Sequence, residues 1–509
     1  MTFCLKVYPF PVSSQSSVAS QRPTASRRPA AFQKSFALVT LALCGLLIGA
    51  ATAVPEAHGQ SGARSARLTG MAGGSSALGP PTEALYTNPA HLAVGPRVRP
   101  FELRLLDVRA DAGGSLLQFS HYEDTFGKRA GTLSDKQEIA VLDNWFGGDQ
   151  RAVTSHVSAV PAALTYRPAG KQWAVGVGLR ARFVTTASTD RGLFDLFLVG
   201  ADRDRTLPVN GRFRAYGMYD LTGTFSYAFE SVPLSVGVSP RFIVGTGYAD
   251  GDLSSSVEVR ENQLTHRFQY TARAAGSLSR EAYDTFDAFS ADPFEDVSGG
   301  GGGPAGFGGG IDVGATYAVQ QGLHVSVSLR DLGLIQWSSD PQTVSPTDST
   351  FAYEGIELDT GRLKNEFGSD VAKYFESQVD SLARATYEDV SRDRSSFTTG
   401  LPTTLSASGT WAREGLVVNG GVTLGLNSRA GGMSASPAAH VGGTVFLGPV
   451  PIRTGVRIGG DAAVTVAGGV GLRTSRYSFN IGVTATPNSS TLGSGARYAV
   501  ALSLATIRF

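Results

Sequence analysis

From Trp173 to Phe183 the side chains alternate with a period of two. Trp173, Val175, Val177, Leu179, Ala181 and Phe183 fall on one face, and Ala174, Gly176, Gly178, Arg180 and Arg182 fall on the other. Successive side chains of a strand point to opposite faces, so one face suits hydrocarbon and the other suits water. The pattern returns. Leu323, Val325, Val327 and Leu329 oppose His324, Ser326, Ser328 and Arg330; Val450, Ile452, Thr454, Val456 and Ile458 oppose Arg453, Gly455, Arg457 and Gly459; Tyr477, Phe479, Ile481 and Val483 oppose Ser478, Asn480, Gly482 and Thr484. A soluble sandwich alternates too, but with an outward face rich in Lys and Glu. Here the polar face is mostly Gly, Ser and Thr with occasional Arg, which fits a crowded polar lumen. After Val54 no apolar run reaches the ~18 residues of a membrane helix. A spanning structure in this region is therefore a closed barrel, where every backbone group pairs with a neighbouring strand.

Connection lengths support the same reading. The links Arg167 to Gln172, Glu230 to Val232, Val319 to Leu323, Arg413 to Leu416, Leu447 to Val450 and Thr474 to Arg476 are short. Between them lie mostly longer segments, near 186–212, 249–306, 337–400, 428–437 and 487–495, with a brief exception at Gly459 to Ala462. Tight periplasmic turns and long outer loops are the asymmetry of an outer-membrane barrel. Strand starts fall near 101, 161, 172, 213, 232, 307, 323, 401, 415, 438, 450, 462, 476 and 496. The fold class is thus all-β, a 14-stranded antiparallel transmembrane β-barrel with long extracellular loops. Segment 114–122 is a further candidate strand, so the count holds to within two.

The N-terminus carries an address. An apolar run, Phe36 to Val54, follows Arg27, Arg28 and Lys34 and precedes Ala57-His58-Gly59. These are the parts of a secretory signal, with cleavage before Gln60. An uncleaved membrane helix is the competing reading, and the Ser-rich, acid-poor stretch before it also fits a transit peptide or a start codon placed too far upstream. Residues 1–59 hold five basic residues, one acid and both cysteines, Cys4 and Cys44. The formal charge of +1 therefore becomes −3 for residues 60–509, which gives no general argument for nucleic acid. Without cysteine, that part has no disulfide or thiolate metal site. Its end, ARYAVALSLATIRF, is a strand with a terminal Phe509, the form of an insertion signal for the outer-membrane machinery. Tyr498, Val500, Leu502 and Leu504 share one phase and Ile507 and Phe509 the other, which calls for a bulge near Ala505.

Two segments have helical spacing instead. Ser134 to Phe146 places Ile139, Leu142 and Phe146 together, and Phe367 to Leu382 does the same for Phe367, Val371, Tyr374, Phe375 and Leu382. Both fall in expected outer loops, as a lid, a partner surface or a helix that folds its own loop. Ser298 to Gly310 reads as a flexible connector; it lacks the Lys-Ser/Thr ending of a phosphate loop. The six histidines after Gln60 are scattered, with neither HExxH nor GxSxG. The chain reads as no enzyme, with no cofactor and no metal. Arg180, Arg182, Arg330, Arg453, Arg457 and Arg473 project to the inferred lumen, with Asp220, Glu230 and Asp312 on the same side. They either tune the passage of anions or form an ion-paired interior that fills the barrel.

Residues 67–95, RLTGMAGGSSALGPPTEALYTNPAHLAVG, resemble the N-terminal region of the FadL-like outer-membrane family through Gly70, Gly73, Gly74 and Asn88-Pro89-Ala90. The resemblance implies a hatch folded inside the barrel, over 60–95, with the barrel itself over 96–509. Residues 306–337, the helix-bearing loop after them and LPTTLSASGTW (401–411) are similar to an uncharacterised barrel family of that superfamily, known only as a domain of unknown function. Relatives in the wider group include uptake channels for hydrophobic compounds and a component of a protein secretion system. The expectation is an outer-membrane channel or transporter for hydrophobic or small organic compounds, with outer-membrane lipid and the insertion machinery as partners. The alternative is a non-transporting scaffold that holds surface or secreted proteins; an outer-membrane enzyme is third.

Overall fold

The computed structural model describes residues 65–95, 99–116, 135–146, 150–198, 205–260, 263–279, 303–347, 349–353, 390–427, 437–460, 462–486 and 497–509. The signal region, the helix expected at 367–382 and most of segment 114–122 lie outside them. Fourteen antiparallel strands form the wall. They are β1 (Phe101–Gly113), β2 (Arg151–Tyr166), β3 (Trp173–Thr189), β4 (Gly211–Ala228), β5 (Leu234–Arg260), β6 (Gly306–Gln320), β7 (Leu323–Trp337), β8 (Thr404–Arg413), β9 (Leu416–Gly425), β10 (Ala438–Leu447), β11 (Val450–Gly459), β12 (Ala462–Arg473), β13 (Tyr477–Thr486) and β14 (Arg497–Arg508). Each pairs with the next, and β14 returns to β1 from Glu102↔Arg508 to Gly113↔Arg497, so the sheet closes without an edge.

Val177, Leu221, Phe242, Val325, Val441, Val466 and Val500 point outward and are 45–55% exposed. A belt of this extent exceeds what a soluble surface tolerates and matches hydrocarbon. Inward neighbours are polar and buried, among them Arg180, Asp220, Ser239, Asp312, Asn419, Thr444 and Ser503. No helix among the described residues is long and apolar enough to cross a membrane.

Two boundaries differ from the sequence reading. β2 starts at Arg151, ten residues before the expected 161, because Thr154, Ser155, His156 and Ser158 put polar groups on both faces and erase the alternation. The expected loops at 186–212, 249–306 and 337–400 also contain strands. β5 has 27 residues; its first half pairs with β6, and its second half with the strand Gln263–Gly276. Gln342–Pro346 and Thr350–Tyr353 add to that strand, and Arg205–Pro208 pairs the far side of β5. The wall thus rises past the membrane band on one side. Helix α1 (Asp135–Phe146) matches its expected span and buries Leu142 and Phe146; Trp145 and Phe146 pack on Phe194 of α2 (Gly192–Leu198). The bulge expected near Ala505 is present: Ser478 pairs with Thr506 but Asn480 with Ser503, so β14 holds one extra residue there. Phe509 stacks on Phe101 at 5.4 Å and pairs its main chain with it.

Candidate functional site

Residues 65–95 lie against the inner face of the wall. They form two single-turn helices, Ala66–Thr69 and Pro81–Ala84, and a 3-10 turn, Pro89–Ala93. Ser65 caps the first by accepting from the Leu68 N–H at 3.3 Å. Leu68, Met71, Leu85 and Leu92 are at most 1% exposed. At roughly 1.5–3 kcal/mol for each fully buried large apolar side chain, this face cannot lie free in water. Main-chain-to-main-chain hydrogen bonds between described residues of the segment close within it; toward the wall its main chain meets side chains, the Ala77 N–H donating to Thr410 at 3.1 Å and the Thr82 N–H to Glu102 at 3.0 Å. It is therefore not a strand of the sheet; bonds through side chains and close packing hold it.

Glycines of the wall make the seat. A Cβ on Gly442 or Gly455 would lie 2.4 or 2.5 Å from the main chain of Met71, and one on Gly178 would lie 2.2 Å from the Tyr86 hydroxyl. The glycines that the sequence shows as a polar face are thus contact surface for a second backbone. Of the six hatch-motif residues, Gly70 lies with its Cβ position 3.0 Å from the Cα of Gly469, and Gly73 and Gly74 adopt φ of 105° and 83°. At Gly74 a side chain would also strike the His440 ring. The Asn88 side chain accepts from the Ala90 N–H at 3.0 Å and donates to the Val327 carbonyl at 3.2 Å, which ties the turn to β7. Pro89 and Ala90 press on Gly237 of β5, and Ser226 donates to the Ala90 carbonyl at 3.2 Å.

Ion pairs anchor the other side. Glu83 accepts from Arg67 (Nε at 3.0 Å) and Ser65 (2.5 Å), with Arg104 of β1 at 3.5 Å. Burial alone would raise its pKa, but Arg67 and Arg104 bring it down to about 2. Glu102 accepts from Thr82 and from Arg508, at 2.8 Å each. His91 is different. It is 6% exposed, neither ring nitrogen has a hydrogen-bond partner among the described residues, and burial with the Arg67 charge lowers its pKa to about 3.

Further toward the loop end an ionic belt crosses the lumen. Arg180 and Arg182 of β3 donate to Asp220 of β4 at 3.0 and 3.1 Å. Arg182 and Arg241 reach Asp331 at 2.9 and 2.8 Å, and Arg241 also pairs with Asp312. Asp331 turns its own N–H to Asp312 at 2.7 Å, from a backbone with φ of +53°. Arg330 leaves the belt to donate to the Tyr86 carbonyl at 3.2 Å, so the belt and the segment touch. Arg241 and Asp331 were not singled out from the sequence, yet they are its centre. Arg241 shares the phase of Ser235, Gly237 and Ser239, a usable signal; Asp331 follows Arg330 directly, and only a local break in alternation lets both point inward. Arg453 and Arg457 lie on the inner face of β11, outside the belt, and Arg473 on that of β12 with its guanidinium 5.4 Å from the Phe446 ring. Glu230 is a correction: it sits exposed in the turn before β5, accepting from Gln172 at 3.0 Å, because the strand ends at Ala228 before the alternation reaches it.

Beyond the belt the same inward rows become apolar. Val184, Tyr216, Met218, Ile243, Tyr248, Ile335, Trp337 and Leu401 pack together with Phe397. Trp337 donates to Thr399 at 2.8 Å, and its ring centre lies 5.1 Å from that of Tyr248. At the segment, the space between Glu83, Arg104, Asp107 and Ser158 is about 10 Å³, the scale of one water. The lumen is filled here. No group of three or more His, Cys, Asp or Glu among the described residues is placed to hold a metal.

Residues 107–448 match the profile of a family of unknown function, DUF5723. The chain belongs to that family. No curated protein matches it. Among solved structures it is similar to a TodX monoaromatic hydrocarbon channel mutant, at 12% identity and a TM-score of 0.46 over 88% of this chain and 99% of that one. It is also similar to the Ralstonia pickettii toluene transporter TbuX (12%, 0.44, 88% and 98%) and to a Pseudomonas aeruginosa FadL homologue (12%, 0.44, 87% and 98%).

Proposed function

We propose that this DUF5723 chain is an outer-membrane channel for hydrophobic or small organic compounds, held closed by residues 65–95 acting as a hatch. One observation carries the reading: the lumen is filled by a segment that makes no main-chain ladder with the wall and is seated on wall glycines. Such a plug leaves without breaking the sheet. The aromatic cluster around Trp337 and Tyr248, 1% and 3% exposed, lies on the loop side of the ionic belt, and a hydrophobic compound entering there inserts among those rings. In this reading residues 1–59 direct export, the outward apolar belt meets lipid, Phe509 and its strand serve the insertion machinery, and the long loops face outside. No catalytic role is assigned.

Cells expressing the chain should accumulate a hydrophobic fluorescent dye several-fold faster than cells without it, as channel-mediated entry bypasses the polar outer leaflet. Equal accumulation, with a surface or secreted protein retained by the loops instead, replaces the channel with the scaffold.

A further inference from the structure

After Asp393 the sequence contains nine arginines and only two acids, Glu414 and Asp461. Both acids sit in connections, Glu414 between β8 and β9 and Asp461 between β11 and β12. The described inner faces of six consecutive strands, β8 to β13, therefore carry His440, Arg453, Arg457 and Arg473 and no carboxylate. The opposite half is built otherwise: Arg180, Arg182 and Arg241 each face Asp220, Asp312 or Asp331. Arg453 is 5% exposed, and its Nε and Nη1 have no hydrogen-bond partner among the described residues.

The segment that covers this half brings one carboxylate near its arginines, Glu83, and takes it away on leaving. Residues 65–80 have no acid, and the first one, Glu83, is held by Arg67 and Arg104. Beneath Met71 the floor is Gly442 and Gly455, and beneath Ala66 it is Gly482. Removing the segment would thus open a trough floored by backbone, with arginines at three heights: Arg473 next to the turn end, Arg453 three residues into β11, and Arg457 two periods of alternation further. Low-dielectric walls focus the field of such a row, and a row of one sign selects the opposite ion.

We propose that the β8–β13 half of the lumen is the path opened when the segment leaves, and that Arg473, Arg453 and Arg457 make it selective for small anions. This rests on residues 65–95 being a removable hatch. The test uses the full chain carrying Gly455→Leu, whose side chain displaces Met71, in planar bilayers under a potassium chloride gradient; deletion of 67–90 gives a second opened form should the first fail to insert. The opened barrel should prefer chloride over potassium by about tenfold, falling to about onefold when Arg453→Gln and Arg473→Gln are added. Conductance without preference, or preference unchanged by the two substitutions, overturns the anion path and leaves the channel standing. A heat-modifiable opened form that conducts nothing overturns both.

Discussion

Asp331→Asn should lower the stability of the folded barrel by about 3–5 kcal/mol, the cost of breaking a buried ionic cluster from one side. Asp331 receives Arg182 at 2.9 Å and Arg241 at 2.8 Å, with Arg180 at 3.6 Å, and its side chain is 2% exposed. Removing its charge leaves four arginines, including Arg330, around two carboxylates, Asp220 and Asp312, in a place water barely reaches. The backbone does not confound the result. Asp331 has φ of +53°, a region that asparagine tolerates as well as aspartate does. The urea midpoint of the heat-modifiable band in lipid vesicles reads the change. An unchanged midpoint would mean that the belt is solvated and contributes little, as exposed pairs do.

Acid should loosen the segment. His91 has a seated pKa of about 3 against an ordinary 6.5, so its contribution to seating is complete above pH 6.5 and is lost as pH falls toward 3. Glu83, lowered from 4.5 to about 2, acts in the same direction only below pH 4.5. Between pH 6.5 and 5 the histidine acts without Glu83 and should cost the seat about 1.6 kcal/mol, a roughly fifteenfold gain in opening, because half of the unseated imidazole is already charged at pH 6.5. Hydrogen-exchange protection factors at the His91 and Val94 amides, which bond to Asn88 and His91 carbonyls, report that opening. His91→Leu should remove the fall in this window. A fall of the same size in the variant assigns it to other groups.

Strand number and parity were legible because lipid demands one apolar face and the filled lumen one polar face; rows such as Trp173 to Phe183 obey both. The extensions beyond the membrane band were missed. Residues 263–276 pair onto the overlong β5 and 342–346 pair onto 263–276; Leu264, Phe268, Tyr270, Ala272 and Ala274 alternate with polar neighbours there too, but they stand inside a span that length alone marks as a loop. The lumenal arginines and aspartates were visible one strand at a time, but their pairing was not. Arg241 and Asp331 meet across 90 positions of sequence, and only the register of β5, β6 and β7 brings them together. In the sequence the glycines count only as members, with Ser and Thr, of a polar face that fits a crowded lumen. Their contact with Met71 and Tyr86 depends on a path of residues 65–95 that no periodicity encodes.

The hatch itself is testable with one covalent lock. Ser75 and Ser408 bring their hydroxyl oxygens within 3.0 Å, one on the segment and one on β8, and the chain's own cysteines are Cys4 and Cys44 alone, both within the expected signal. Ser75→Cys with Ser408→Cys places two thiols at a separation a disulfide can close. Dye uptake by cells carrying this pair should stop on oxidation and return on reduction, while either single cysteine leaves uptake unchanged. Uptake that continues at the same rate with the disulfide formed would show that residues 65–95 do not gate the barrel.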